Sequence, residues 1–136
     1  MYKVNRSTLR WLPLVLWMAI IFVVSHQPSS AIPQYGIWDV LVKKGGHLLA
    51  YAILAVLAKY AGLSNRVALV LALSYAISDE LHQRLIPGRN GRPLDVMIDF
   101  VGAVMGLAMY HLGGRWRRGF RLDRTGVAAG QSPRDA

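Results

Sequence analysis

Four apolar stretches, Leu9 to Val24, His47 to Ala61, Val67 to Ile77 and Val96 to Leu112, divide a chain of 136 residues. Counted with their flanks, they approach the roughly 20 residues that cross the hydrocarbon core of a bilayer, although the first two are short. Only Asp99 interrupts the last. A mean hydropathy of +0.31 is high for a soluble domain of this length and points the same way. The sequence therefore predicts an all-α, polytopic membrane protein, a four-transmembrane-helix bundle with helices over about 9–25, 45–61, 66–83 and 93–112. The bundle forms one domain, 1–112, and 113–136 follows as a basic cytoplasmic tail.

A net charge of +9 raises the question of nucleic acid, but the basic residues flank the apolar runs instead of covering a polar domain that could present them to a duplex. Lys and Arg near helix ends are retained on the cytoplasmic side. Lys3, Arg6 and Arg10 precede the first helix, Lys59 and Arg66 lie between the second and third, and Arg115, Arg117, Arg118, Arg121 and Arg124 follow the fourth, ten residues in all. Lys43, Lys44, Arg84, Arg89 and Arg92 make five on the other side. This asymmetry predicts an integral cytoplasmic-membrane protein with both termini cytoplasmic and membrane lipid, not nucleic acid, as its partner. With no cysteine, disulfides and thiolate chemistry are excluded. Basic residues, the run Trp11 to Val24, then Ser29 and Ala31 also fit a cleavable signal peptide, but three further spans make an uncleaved first helix the simpler reading.

Along the chain, Pro13 falls in the first turn of helix one, where a missing amide is tolerated, and that helix reads as an anchor. Ser25 to Lys44, with Pro28 and Pro33, reads as an outer loop whose Tyr35, Trp38 and Leu41 lie along the membrane interface or pack into the bundle. His47, Tyr51, Leu54 and Ala58 share one face of helix two. Ser78, His82, Tyr75, Asp79, Gln83 and Glu80 fill an arc of about 200° on helix three, leaving Leu73, Ile77, Leu81 and Val70 for lipid. Pro87, Gly88, Gly91 and Pro93 then force an antiparallel hairpin. On helix four, Asp95, Asp99, Gly102 and Gly106 lie on one seam, and the two glycines let another helix approach closely, within the chain in preference to a dimer. The segment after Gly113 interleaves arginines with Trp116 and Phe120, a pattern that fits topogenic charge or anionic lipid at the membrane surface. VAAGQSPRDA has no apolar periodicity and reads as disordered.

The polar hairpin SDELHQRLIPGRNGRPLDVMID, residues 78–99, carries four carboxylates, three arginines and a histidine. An ionised side chain at membrane depth costs on the order of 3 kcal/mol even on lenient scales, so such groups face the protein and have partners. Three chemistries fit. His47, Asp79, His82 and Asp99 offer weak candidates for mixed nitrogen and oxygen ligation of a divalent metal. His82 or His47, oriented by an aspartate, suits a general base while Arg89 and Arg92 hold a phosphate. The third is a structural network in which Asp79, Glu80, Asp95 and Asp99 pair with Lys43, Lys44, Arg84, Arg89 and Arg92. A non-catalytic protein binding an anionic amphiphile through Arg89 and His82, a membrane-embedded hydrolase or transferase using Ser78 one turn from His82, and a purely structural bundle are the competing functions. The absence of GxSxG favours the first over the second.

KKGGHLLAYAILA, then SDELHQRLIPGRNGRPLDVMIDFVGAVMG, with SHQPSS as a weaker match, resembles the VanZ-like membrane protein family from about residue 12 to residue 112. The resemblance implies a small multi-helix membrane protein of the cell envelope, since the family is named for a member that gives low-level resistance to the glycopeptide teicoplanin. A lipid-linked cell-wall precursor or a glycopeptide is then the expected ligand of a polar pocket at the outer leaflet. Enzymatic activity and cofactor are left open. Matched to the family pattern, the pocket residues are Lys44, His47, Ser78, Asp79, Glu80, His82, Gln83, Arg89, Asp95 and Asp99, with Gly102 and Gly106 for helix packing.

Overall fold

A computed structural model describes residues 6–27, 37–89 and 91–128, with side chains over 8–27, 41–89 and 91–114. The described residues are helical with no strand: a single turn α1 (Arg6–Leu9), then α2 (Leu12–Ser25), α3 (Ile37–Tyr60), α4 (Asn65–Gln83) and α5 (Pro93–Ala128). Leu41–Tyr60 and Pro93–Gly114 are long and apolar enough to cross a membrane. At a rise of 1.5 Å per residue, the 14-residue α2 reaches only about 21 Å. The 19-residue α4 reaches about 28 Å but carries Arg66, Asp79 and Glu80.

Local chemistry sets the helix ends. Between α3 and α4, Gly62 takes φ +99°, Leu63 N–H donates to Ala58 O and Gly62 N–H to Lys59 O, which is the paired closure that ends a helix on a left-handed glycine. The Ser64 hydroxyl then caps α4 by accepting from Val67 N–H at 3.3 Å. Replacing Gly62 with alanine forces a Cβ into that left-handed backbone, and a loss of about 1 kcal/mol is expected, read as a lower melting temperature in detergent. Pro93 opens α5 at its first position.

Two boundaries differ from the sequence expectation. The outer loop ends at Ile37, not Lys44, because no proline follows Pro33 in that region, and Gly45 and Gly46 are accommodated inside α3 with open space at both Cβ positions. Trp38 is thus within a helix and Leu41 is exposed on it, whereas Pro28, Pro33 and Tyr35 lie outside the described residues. At the other end, α5 continues past Leu112 to Ala128. Neither Gly113 nor Gly114 takes a positive φ, and the next proline is Pro133, so nothing local stops the helix. Most of VAAGQSPRDA lies outside the described residues.

Packing is organised by small residues. On α5, a Cβ at Gly102 would lie 2.2 Å from Leu48 O, and one at Gly106 would lie 2.2 Å from Ala52 O, so the α5 seam meets the backbone of α3 in the same chain. The partner numbers rise together, so α3 and α5 run parallel. On α4, Ala68, Ala72 and Ala76 recur every fourth residue, and all three are fully buried. They continue into Asp79, Glu80 and Gln83 one turn on. Helix α2 joins through Tyr75 O–H, which donates to Met18 O at 2.6 Å, and through Trp17 Nε1–H, which donates to Ala50 O at 2.9 Å. Helix directions alternate, which brings the C-terminal ends of α2 and α4 together with the N-terminal ends of α3 and α5.

Burial is inverted relative to a water-soluble bundle. Asp99 is 0% exposed, and Asp79 and Glu80 are 4% exposed, while Val70 is 64% and Met109 68% exposed. Water would favour the reverse, with charges outside and large apolar side chains inside.

Candidate functional site

The alternation of helix directions gathers the polar residues at one end, and there they separate into three groups. In the first, Asp79 Oδ2 accepts from Ser25 Oγ at 2.8 Å and from Gln83 Nε2 at 3.0 Å. All three residues are buried. Gln83 and Asp79 are one turn apart on α4, and Ser25 is the last residue of α2, so the carboxylate ties α2 to α4. Beside it, His26 Nδ1 and His82 Nε2 are 3.0 Å apart, one imidazole donating and the other accepting. Phe22 stacks on His82 with ring centroids 4.8 Å apart.

The second group orders the hairpin. Glu80 Oε2 accepts from Arg92 N–H at 3.0 Å, and Arg84 Nε–H donates to Gly91 O at 3.1 Å. Glycine is required at 91 for space, because a Cβ there would stand 2.3 Å from Glu80 O. Lys44 on α3 reaches Asp95 in the first turn of α5, with Nζ to Oδ1 at 2.9 Å. Both side chains are partly exposed, so the pair marks the mouth of the polar region.

The third group is the deepest. His47 from α3, Glu80 from α4 and Asp99 from α5 bring one donor atom each within 4.8 Å of one another. His47 Nδ1 is 3.3 Å from Asp99 Oδ1, yet neither atom has the alignment of a hydrogen bond. Asp99 Oδ2, Asp79 Oδ1 and the Tyr51 hydroxyl are also buried without a hydrogen-bond partner. Tyr51 follows His47 by one turn, so two unsatisfied polar groups of α3 point along one stripe. Buried polar atoms in folded proteins are nearly always bonded, and five without a partner at one end of a small protein form a concentration of unmet capacity.

The profile of the family described as VanZ/LLP1 matches residues 10–114, a span that includes every residue of the three groups. The chain belongs to the VanZ family. No curated protein and no solved structure matches it. Family membership together with two helices able to cross a bilayer makes this VanZ chain a membrane protein.

Of the residues singled out in the VanZ sequence, Lys44, His47, Asp79, Glu80, His82, Gln83, Asp95 and Asp99 come together at one end of the helices. Ser78 does not join them. It is exposed on α4, while the hydrogen bond of His82 runs to His26. Arg89 is half-buried in the hairpin, where its N–H donates to Ile86 O, and Asp79 is held by Ser25 and Gln83 instead of by Arg89. For the metal candidates, Asp79 and His82 give way to Glu80. Asp79 and Glu80 are about 100° apart on a helix, and only the packing of α4 decides that the first meets α2 and the second meets α3 and α5. Ser25 and His26, which the sequence reading leaves out of the network, belong to it; SHQ at the end of the first apolar run, the start of the expected outer loop, is the signal that marks them.

Proposed function

We propose that this VanZ protein is an integral protein of the cytoplasmic membrane and cell envelope whose polar helix ends form a ligand site at the outer leaflet. Its ligand is an anionic amphiphile, a lipid-linked cell-wall precursor or a glycopeptide such as teicoplanin. One observation carries the reading: fully or nearly fully buried carboxylates gather at the end of a bundle with an apolar exterior, and they retain oxygens with no hydrogen bond among the described residues. A network kept for stability alone favours full satisfaction, because each unpaired buried group costs free energy. Around the acidic centre, Lys44, Arg84, Arg89 and Arg92 give the mouth a positive rim in which, among the described residues, Lys44 is paired with a carboxylate, Asp95. Such a rim suits phosphate or carboxylate recognition.

Four passes through the membrane fit the alternating directions of α2 to α5, with α2 short and α4 shielding Asp79 and Glu80 inside while Arg66 sits exposed at its first turn. The ten-to-five excess of Lys and Arg then orients both termini to the cytoplasm. Cysteines introduced as Asn90→Cys and Ser132→Cys are expected to label oppositely with an impermeant thiol reagent in intact cells, the first reacting and the second protected. Labelling of Ser132→Cys alone would put the site in the cytoplasm and end the outer-leaflet reading.

The hydrolase or transferase alternative lacks its nucleophile and base pair, since Ser78 is exposed and His82 is engaged by His26. Binding is tested by native mass spectrometry of gently extracted protein together with teicoplanin susceptibility. The wild type is expected to carry a lipid of headgroup mass, and Asp99→Asn is expected to lose both the lipid and the phenotype with its helices intact. Full activity and lipid content in Asp99→Asn at normal stability would sink the ligand-site reading.

A further inference from the structure

His47, Glu80 and Asp99 arrive from three different helices, and their donor atoms lie within 4.8 Å of one another. Asp99 is completely buried, and both of its carboxylate oxygens lack a hydrogen bond. His47 Nδ1, 3.3 Å from Oδ1, is a buried nitrogen in the same condition. Hydrogen bonding does not explain the arrangement: among the described residues, the one hydrogen bond that reaches these three donor groups comes from Arg92 N–H to Glu80 Oε2, and His47 and Asp99 meet only as an ion pair.

We propose that these three residues bind one divalent cation, Zn2+ or Mn2+, at the polar end of the helices. Three atoms no farther apart than 4.8 Å share a point within about 2.8 Å of each, whereas bonds of Zn2+ to nitrogen and oxygen are about 2.0–2.2 Å. Side-chain movements of under about 1 Å therefore complete the shell. One imidazole nitrogen with two carboxylate oxygens and no thiolate suits these ions better than the all-oxygen preference of Ca2+ and Mg2+. Charge balance agrees. Two carboxylates in a water-poor interior are costly alone, and a doubly charged ion neutralises both. Three protein ligands leave a coordination position open, which an oxygen of an anionic headgroup can enter. The metal site goes beyond the headgroup reading and stands without it.

The test uses full-length protein in detergent, stripped with chelator and titrated with Zn2+ and separately with Mn2+. The wild type should bind about one ion per chain and gain about 5 °C or more in melting temperature at saturation. Asp99→Asn and Glu80→Gln should each weaken binding by at least about 100-fold, since loss of an outer-shell partner alone costs up to that much. In the metal-free state, Asp99→Asn should melt higher than the wild type, because a fully buried carboxylate with no hydrogen bond to either oxygen has been removed; a purely structural aspartate would give the reverse. Should Asp99→Asn not fold, Glu80→Gln carries the test, because the amide keeps an oxygen for Arg92 N–H. His111→Gln, 12 residues and about 18 Å along α5 from Asp99, should leave binding unchanged. The proposal is overturned if the wild type binds neither ion, if both site variants bind as tightly as wild type, or if His82→Gln abolishes binding while Asp99→Asn does not. Lipid measured on the same samples separates the two readings: lipid without metal overturns this one, and metal without lipid supports it while removing the headgroup.

Discussion

Gly106→Leu is expected to weaken the bundle by about 3 kcal/mol or more, or to prevent its accumulation, the largest effect of any single change away from the polar end. Even a Cβ at this position would lie 2.2 Å from the carbonyl oxygen of Ala52, a backbone atom that cannot swing aside as a side-chain tip can. The helices have to separate, and separation carries with it the contacts of Gly102 with Leu48 and the burial of Ala103 and Leu107. Gly45→Ala and Gly46→Ala are the counterparts. Both glycines are helical with open space around the Cβ position, so alanine should stabilise by about 0.5–1 kcal/mol through helix propensity. Thermal melts of the four proteins in one detergent decide the matter. A Gly106→Leu protein that melts with the wild type would show that α5 does not lie against α3.

The second large effect is expected at Asp79, and its size depends on the replacement. Asp79→Leu removes the acceptor of both Ser25 Oγ and Gln83 Nε2, leaving two buried polar groups unsatisfied. At about 1–3 kcal/mol for each such group, a loss of about 3 kcal/mol is a moderate expectation. Asp79→Asn retains an oxygen for the two donors while removing a charge whose other oxygen has no partner, so its melting temperature should stay within a few degrees of wild type. Equal damage from both variants would mean that the negative charge of Asp79, and not its acceptor geometry, supports the α2 to α4 tie. Crosslinking between cysteines placed in α2 and α4 provides a second readout, since the tie is expected to loosen only in Asp79→Leu.

The helical class and the inner stripes were legible because they follow from periodicity. His47, Tyr51, Leu54 and Ala58 at intervals of three and four form one face whatever they meet, and Tyr51, Leu54 and Ala58 are fully buried. The glycine seam was legible for the same reason, although its partner was not. Leu48 and Ala52 carry no mark in the sequence that distinguishes them from other apolar residues of α3. Limits of a different kind govern the polar cluster. Wheel positions put Ser78, Asp79, Glu80 and His82 in one arc, but an arc of about 200° touches more than one neighbour, and the division among α2, α3, α5 and the exterior depends on helix rotation. That is why Asp79 and His82 were grouped with His47, while Glu80 is the α4 residue that brings a donor atom within 4.8 Å of those of both His47 and Asp99. The sequence places the start of α3 at 45 and the end of α5 at 112, each beside a glycine pair, and the structure carries both helices through those glycines. A glycine ends a helix when the chain turns left-handed there, as at Gly62, and Gly113 and Gly114 do not turn.

The pairing of His47 with Asp99 also sets a schedule for synthesis. The two residues are 52 positions apart, so at roughly 5–20 residues per second the ribosome makes His47 about 3–10 s before the aspartate. During that interval α3 exposes His47, the Tyr51 hydroxyl and the bare backbone of Leu48 and Ala52, all of which α5 later covers or approaches. A shorter delay, of 12 residues, leaves Glu80 on α4 waiting for the hairpin amide of Arg92. The last helix therefore acts as a keystone in time, and the nascent chain depends on the insertion machinery to shelter a polar helix face until α5 emerges.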